Sequence, residues 1–142
     1  PLKLIAEPLR YYIPLYLAAI GPKNIELTAE IADGWLPFMY SPTLGDKFFN
    51  QFLDKGFKKS GNPNKKETFN ISAPVFAKIC EESERDAYLA PARNNYTLYV
   101  VGMRAKDKNL LFNLMFVYSY DSLAEQIQQL YLKGATAAAE SI

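Results

Sequence analysis

Between Ile13 and Pro37 the sequence runs IPLYLAAIGPKNIELTAEIADGWLP, a strand, a tight turn, a helix, a second tight turn and a second strand with almost nothing between them. Ile13 to Ala19 is a short apolar run of the kind that suits a strand buried on both faces. Gly21 permits a sharp backbone turn, and Pro22 suits the first helical position, where its missing N–H costs nothing. Ile25, Thr28, Ala29, Ile31 and Ala32 supply the inner face of a helix, and Asp33-Gly34 is expected to end it through a residue able to take positive φ. Trp35 to Met39 starts a second buried strand. Strand, helix and strand in this order require a parallel sheet with a right-handed crossover. The turn Ile20-Gly21-Pro22 leaves the free N–H groups of a helix N-terminus at the carboxyl end of a strand, where α/β folds bind phosphates.

The remainder of the chain extends this pattern and then becomes helical. Thr43 with Asp46 resembles a capping box, and Leu44, Phe48, Phe49, Phe52, Leu53 and Phe57 fall at helical spacing behind it. Lys58 to Lys66 is a polar loop. Phe69, Ile71, Ala73, Val75, Ala77 and Ile79 alternate, so a third strand is expected from Phe69 to Cys80. Ser83 with Asp86 opens a helical stretch toward Met103, with Pro91 near its beginning or bending it. Lys106 to Asn109 is a polar turn, Leu110 to Tyr120 a short helix, and Ser122 with Glu125 a further capping box ahead of a helix ended by Gly134. The alanine run Ala137 to Ala139 reflects helix propensity. No internal repeat is present, and the layout is one domain, β-α-β-α-β followed by several helices.

The words AAIGPKN, AEIADGWLP, LYVVGMRAKDKN and IQQLYLKG resemble the luciferase-like monooxygenase family, and within it the branch that uses the deazaflavin coenzyme F-420. The resemblance runs in register over nearly the whole chain. It implies an α/β fold, a partial (β/α)8 TIM barrel. About three parallel βα units from the middle-to-late part of the barrel would form a single domain over 1–142. A complete barrel takes roughly 250 residues, so the 142 residues are expected to lack the amino-terminal half and the last strand. Pro1 in place of Met, and Ala137 to Ile142 running on, carry the expectation that both ends are cut. The resemblance further implies an oxidoreductase or monooxygenase with F-420, or alternatively FMN. A small-molecule substrate and a homo-oligomeric full-length enzyme go with it.

For individual residues, the resemblance implies that the turn Ile20-Gly21-Pro22 supplies backbone N–H groups to the cofactor phosphate. The other reading of Gly21 is a simple tight turn. Lys23 adds charge there or is solvated. Phe38, Met39 and Tyr40 close the second strand and either wall the cofactor pocket or belong to the core; Phe38 is taken as cofactor-binding. Family members tend to carry Gly-Gly-Met-Gly where this chain has Val101-Gly102-Met103-Arg104, with Ala105, Lys108 and Asn109 matching downstream. Two lost glycines there either alter the pocket or reflect local drift.

Composition excludes other chemistries. With no histidine, the usual metal ligand and the commonest general base are missing, and no residue is assigned a catalytic proton transfer. The net charge of +1 gives no electrostatic reason for nucleic acid or an anionic membrane as partner. No apolar run suggests a membrane span or signal peptide, and the lone Cys80 fits a reducing cytoplasm. The Lys58-Lys59 and Lys65-Lys66 pairs are expected to face solvent, and Glu81, Glu82 and Glu84 to form a solvated helix start. The rival to an enzyme fragment is a non-catalytic α/β fragment or interaction module. Its open sheet edges would need another chain, so the chain alone is expected to associate.

Overall fold

In the computed structural model, which describes residues 9–102 and 109–142, three parallel strands form one sheet in the order β1-β2-β3. They are β1, Tyr16–Ala18, β2, Gly34–Leu36, and β3, Asn70–Ile71. Tyr16, Leu17 and Ala18 lie opposite Gly34, Trp35 and Leu36, while Gly34 and Trp35 lie opposite Asn70 and Ile71. The parallel pairing and adjacency match the sequence expectation, although each strand is shorter than predicted. At the near end, Leu15 donates its N–H to the Asp33 carboxylate at 2.8 Å, so a side chain takes the place of a further rung. At the far end, Ser72 N–H to Trp35 O at 2.9 Å is the final rung, because β2 turns away after Leu36. Residues 73–80 therefore run on without a strand partner among the described residues, and Val75 and Ile79 are exposed. Nor is β1 buried on both faces: it is the sheet edge, and its three residues are all exposed.

Helix α1 spans Pro22–Ile31 with Pro22 at its first turn, as the turn chemistry predicts. Ile25, Thr28 and Ala29 are buried on its inner face, while Ile31 points to solvent. The helix does not end through a left-handed glycine. Its C-cap is Ala32 in extended conformation, donating to Thr28 O, and Lys65 Nζ reaches across to Ala32 O at 2.5 Å. An ammonium at a helix C-terminus is favoured by the backbone dipole. Gly34 instead serves the sheet: a Cβ there would strike the Tyr16 ring and come within 2.8 Å of Asn70 O.

Helix α2, Asp46–Lys59, lies against α1 and buries Phe49 and Leu53, with Phe48, Phe52 and Phe57 packed at the margin. Leu44 is outside that face and exposed. Thr43 is not a cap, because the turn closed by Gly45 N–H to Ser41 O makes Gly45 the N-cap; Ser41 Oγ takes the Leu44 N–H instead. Gly56 fixes the closeness of the two helices, since a Cβ there would collide with Glu26 O and stand 2.6 Å from Ala29 Cβ. Three lysines expected in solvent have partners: Lys59 pairs with Glu26, Lys66 with Asp54 at 2.8 Å, and Lys65 with Ala32 O. The polar loop is shorter than expected, because α3 occupies Lys65–Thr68.

The second half is helical. A 3-10 turn at Glu82–Glu84 is closed by a capping box between Glu81 and Glu84, so those glutamates, rather than Ser83 and Asp86, start the segment. Helix α4, Arg85–Thr97, contains Pro91 and passes into a π turn at Leu98–Gly102. Helix α5 covers Leu110–Val117, α6 Asp121–Leu132 and α7 Thr136–Glu140. Ser119 takes φ 63° and Tyr120 becomes the N-cap of α6, so Ser122 lies inside the helix rather than capping it. Gly134, at φ +77°, follows α6 as predicted. Val101 is buried in the π turn without left-handed backbone, while Met103, Arg104, Ala105, Lys106 and Lys108 lie outside the described residues.

Two apolar clusters result. One joins Ala19, Ile25, Trp35, Phe49, Leu53 and Leu114 beneath the sheet; the other joins Val100, Phe112, Ala124, Ile127 and Ala139 among the helices. Met39 packs against both. No helix among the described residues is long and apolar enough to cross a membrane.

Candidate functional site

A cleft of about 250 Å³ opens at the carboxyl ends of β1 and β2, with Ile20, Pro22, Trp35 and Phe38 on one side and Leu110 and Leu114 of α5 on the other. Its floor is fixed by Trp35, whose indole N–H donates to Ala19 O at 2.8 Å in the core. Trp35 also meets Phe49 and Tyr40 edge to face, with ring centroids 5.1 and 5.7 Å apart. Such contacts hold an aromatic wall in one orientation.

The rim of this cleft is the N-terminus of α1. Gly21 is the N-cap, at φ −76° and ψ 147°, and its carbonyl accepts from Ile25 N–H at 2.9 Å. The turn therefore needs no left-handed backbone, and an added Cβ would meet only Leu110 Cδ1, at an ordinary 3.4 Å. No side chain caps the helix and no acidic residue occupies its first turn. The first N–H groups of a helix have no acceptor four residues back, so this rim carries partial positive charge without a resident anion. Lys23 is exposed and is not part of the cleft wall.

Phe38 is half-buried, lines the cleft and packs at a tilt against Tyr99 and Tyr96, at 4.9 and 6.2 Å between centroids. The next residue, Met39, has φ 55° and turns the chain so that Met39 and Tyr40 face a different cavity, of about 400 Å³, among the helices. That turn is held by Tyr118, which is buried; its hydroxyl donates to Met39 O and accepts from Ser41 N–H. Burial pushes the Tyr118 phenol above its ordinary pKa, outweighing the Ser41 hydrogen bond that favours the ionised form, and burial does the same to Tyr40. Both hydroxyls keep their protons at neutral pH. Elsewhere, hydrogen bonds from the Tyr12 hydroxyl and then Leu15 N–H hold the Asp33 carboxyl below the usual range, and Lys59 does so for Glu26.

The structure thus gathers four of the five residues singled out in the sequence, Ile20, Gly21, Pro22 and Phe38, around one cleft and leaves Lys23 outside it. Phe38 and Met39-Tyr40 part company, each facing its own cavity. Two organising residues were not predicted as such. Tyr118 gives no local signal, because its partners lie 77 and 79 residues away. Asn109, assigned to a polar turn, is buried and makes four hydrogen bonds. Its Oδ1 accepts from Leu111 and Phe112 N–H, and its Nδ2 donates to Tyr99 O and Val100 O. An Asn directly before an apolar helical run is the signal that could have identified this cap. Among the described residues, no three His, Cys, Asp or Glu side chains group as metal ligands.

Comparison with known proteins matches residues 2–140 to the profile of luciferase-like monooxygenases. One curated relative, from Mycobacterium tuberculosis, is 37% identical over 133 residues. Its name assigns it provisionally as a coenzyme F-420-dependent oxidoreductase. The match covers 94% of this chain and 38% of that relative, so the chain spans little more than a third of the relative's length.

Proposed function

The chain belongs to the luciferase-like monooxygenase family, and we propose that it supplies the phosphate-holding turn and part of the ring pocket of an F-420-dependent oxidoreductase, with FMN as the alternative cofactor. The observation that carries this is the uncapped N-terminus of α1 opening onto the aromatic cleft of Trp35 and Phe38. The donor set fits an anion: backbone N–H groups at Gly21, Lys23 and Asn24, no carboxylate in the first turn, and no side chain at Gly21 to cover them. When bound, such a cofactor supplies hydride transfer or, as reduced flavin, oxygen activation. In this reading the Ile20–Pro22 turn anchors the phosphate, Phe38 lies against the apolar part, and the Trp35 indole bond to Ala19 keeps the wall rigid. Lys23 contributes only a screened charge. The three parallel strands form one arc of a (β/α)8 barrel, and the substrate is a small molecule. This reading also supports a cytoplasmic enzyme, with the full-length protein a homo-oligomer.

The test uses the geometry at Gly21. Because its backbone is extended and an added Cβ would meet only Leu110 Cδ1 at 3.4 Å, Gly21→Ala should leave the thermal melt nearly unchanged, and the same melt checks that Gly21→Val is folded. In the full-length protein, fluorescence titration with F-420 should weaken progressively from Gly to Ala to Val, and Lys23→Ala should cost less. Unchanged affinity in a folded Gly21→Val protein would reduce the turn to architecture.

A second reading, an interaction module that pairs with another chain, draws on the exposed β1 edge and the unpaired stretch through Val75 and Ile79. Sedimentation of the 142-residue chain decides it. Association supports open edges, and a compact monomer with cooperative unfolding removes this reading.

A further inference from the structure

On the far side of Met39, the cavity of about 400 Å³ lies between α4, α5, α6 and α7. Its walls are mostly apolar, formed by Val100, Met115, Leu123, Ile127 and Ala139. Small-molecule sites have this character, with a few polar groups fixing orientation. The polar group that stands out is Thr97, which is 5% exposed and lines the cavity. The other buried threonine, Thr28, turns its hydroxyl back onto Asn24 O at 2.7 Å. Thr97 makes no such bond, and its hydroxyl has no partner among the described residues. No side-chain oxygen among them is both sealed and unpartnered, so this hydroxyl opens onto the cavity. One cation and one anion, Arg93 and Glu140, share the wall, and Arg93 is already engaged by Asp86 at 3.1 Å. Taken together, Arg93 and Glu140 leave the wall without net charge.

We propose that this cavity is a second binding site, separate from the cleft at Gly21, for a small neutral molecule with a ring-sized apolar body and one hydroxyl or carbonyl oxygen bound to the Thr97 hydroxyl. An apolar body displaces water from the walls, and the single oxygen gives the Thr97 hydroxyl a partner that none of the described residues supplies. The assignment is independent of what binds at Gly21.

The test probes the full chain with p-cresol and, as the hydrocarbon control, toluene, each titrated by calorimetry and ligand-observed NMR. Both should bind, p-cresol the tighter. Thr97→Val, which keeps shape and removes the hydroxyl, should weaken p-cresol about fivefold to tenfold and leave toluene no weaker. Leu123→Trp, at a half-buried wall position, should remove binding of both while circular dichroism stays unchanged. F-420 titration should be the same in wild type and Thr97→Val, which separates this site from the cofactor cleft. Absence of binding by either probe up to ~1 mM, or equal loss of both probes in Thr97→Val, would overturn the proposal.

Discussion

Tyr118 donates its hydroxyl to the carbonyl oxygen of Met39 at 2.7 Å, across 79 residues of chain. Met39 sits at φ 55°, a conformation that costs a residue with a Cβ about 1–3 kcal/mol unless its surroundings impose it. The same hydroxyl accepts from Ser41 N–H, so one phenol clamps both sides of the turn that divides the two cavities.

Tyr118→Phe should therefore destabilise the protein by about 1–3 kcal/mol, because it leaves a half-buried carbonyl and a half-buried N–H without their partner while keeping the ring. Denaturant unfolding measures the loss. A change under about 0.5 kcal/mol would mean that water replaces the hydroxyl.

Gly56→Ala should cost about 1–3 kcal/mol or more, since the new methyl group would meet Glu26 O and Ala29 Cβ and force α1 from α2. Thermal unfolding reads the effect, and Gly61→Ala is no suitable control because Gly61 has φ +68°. Gly21→Ala serves instead, and its melt should match the parent.

Asn109→Ala should lose a helix cap worth about 1 kcal/mol and also strand the carbonyls of Tyr99 and Val100, for a total of about 2–4 kcal/mol. Asn109→Asp should keep the cap to α5 but repel those carbonyls, giving an intermediate loss. Equal stability of all three proteins would remove the residue from the fold's supports.

The pH dependence follows from Asp33 and Glu26. Their carboxyls lie below the ordinary range, Asp33 through Tyr12 and Leu15 and Glu26 through Lys59, so both bind protons more readily when unfolded. Their contribution is complete above the ordinary carboxylate pKa of about 4 and is lost as pH falls through their lowered values. Stability should be flat from neutrality to weak acid and then decline, and Asp33→Asn should shrink that decline. A parent-like acid limb in Asp33→Asn would sink the assignment.

The β-α-β opening was legible because a strand-like run, Gly-Pro at a helix start and a helical stripe all occur within the block from Ile13 to Pro37. Its parallel pairing and the gathering of Ile20, Gly21, Pro22 and Phe38 follow from that local grammar. Strand lengths were not legible, since apolar content continues in Val75 and Ile79 after the neighbouring strand has turned away. The capping residues were displaced for a related reason. The turns at Ser41 and Ser119 put the N-caps at Gly45, two residues after Thr43, and at Tyr120, two residues before Ser122, and only the backbone path reveals this. Tyr118 and Thr97 escaped because a hydroxyl's partner, or its lack of one, depends on residues far away in sequence.

Gly34 acts as a keyway. With β1 and β2 only three residues long, backbone hydrogen bonds alone would distinguish poorly between alignments differing by one step. The ring of Tyr16 lies where a Cβ on Gly34 would be, and only one position along β2 leaves that slot vacant. Sliding by one residue would drive the ring into Trp35 or Asp33 and tear the indole from Ala19 O. A missing side chain therefore indexes the sheet, and through it sets the relative height of the Gly21 turn and Phe38 along the same side of the cleft.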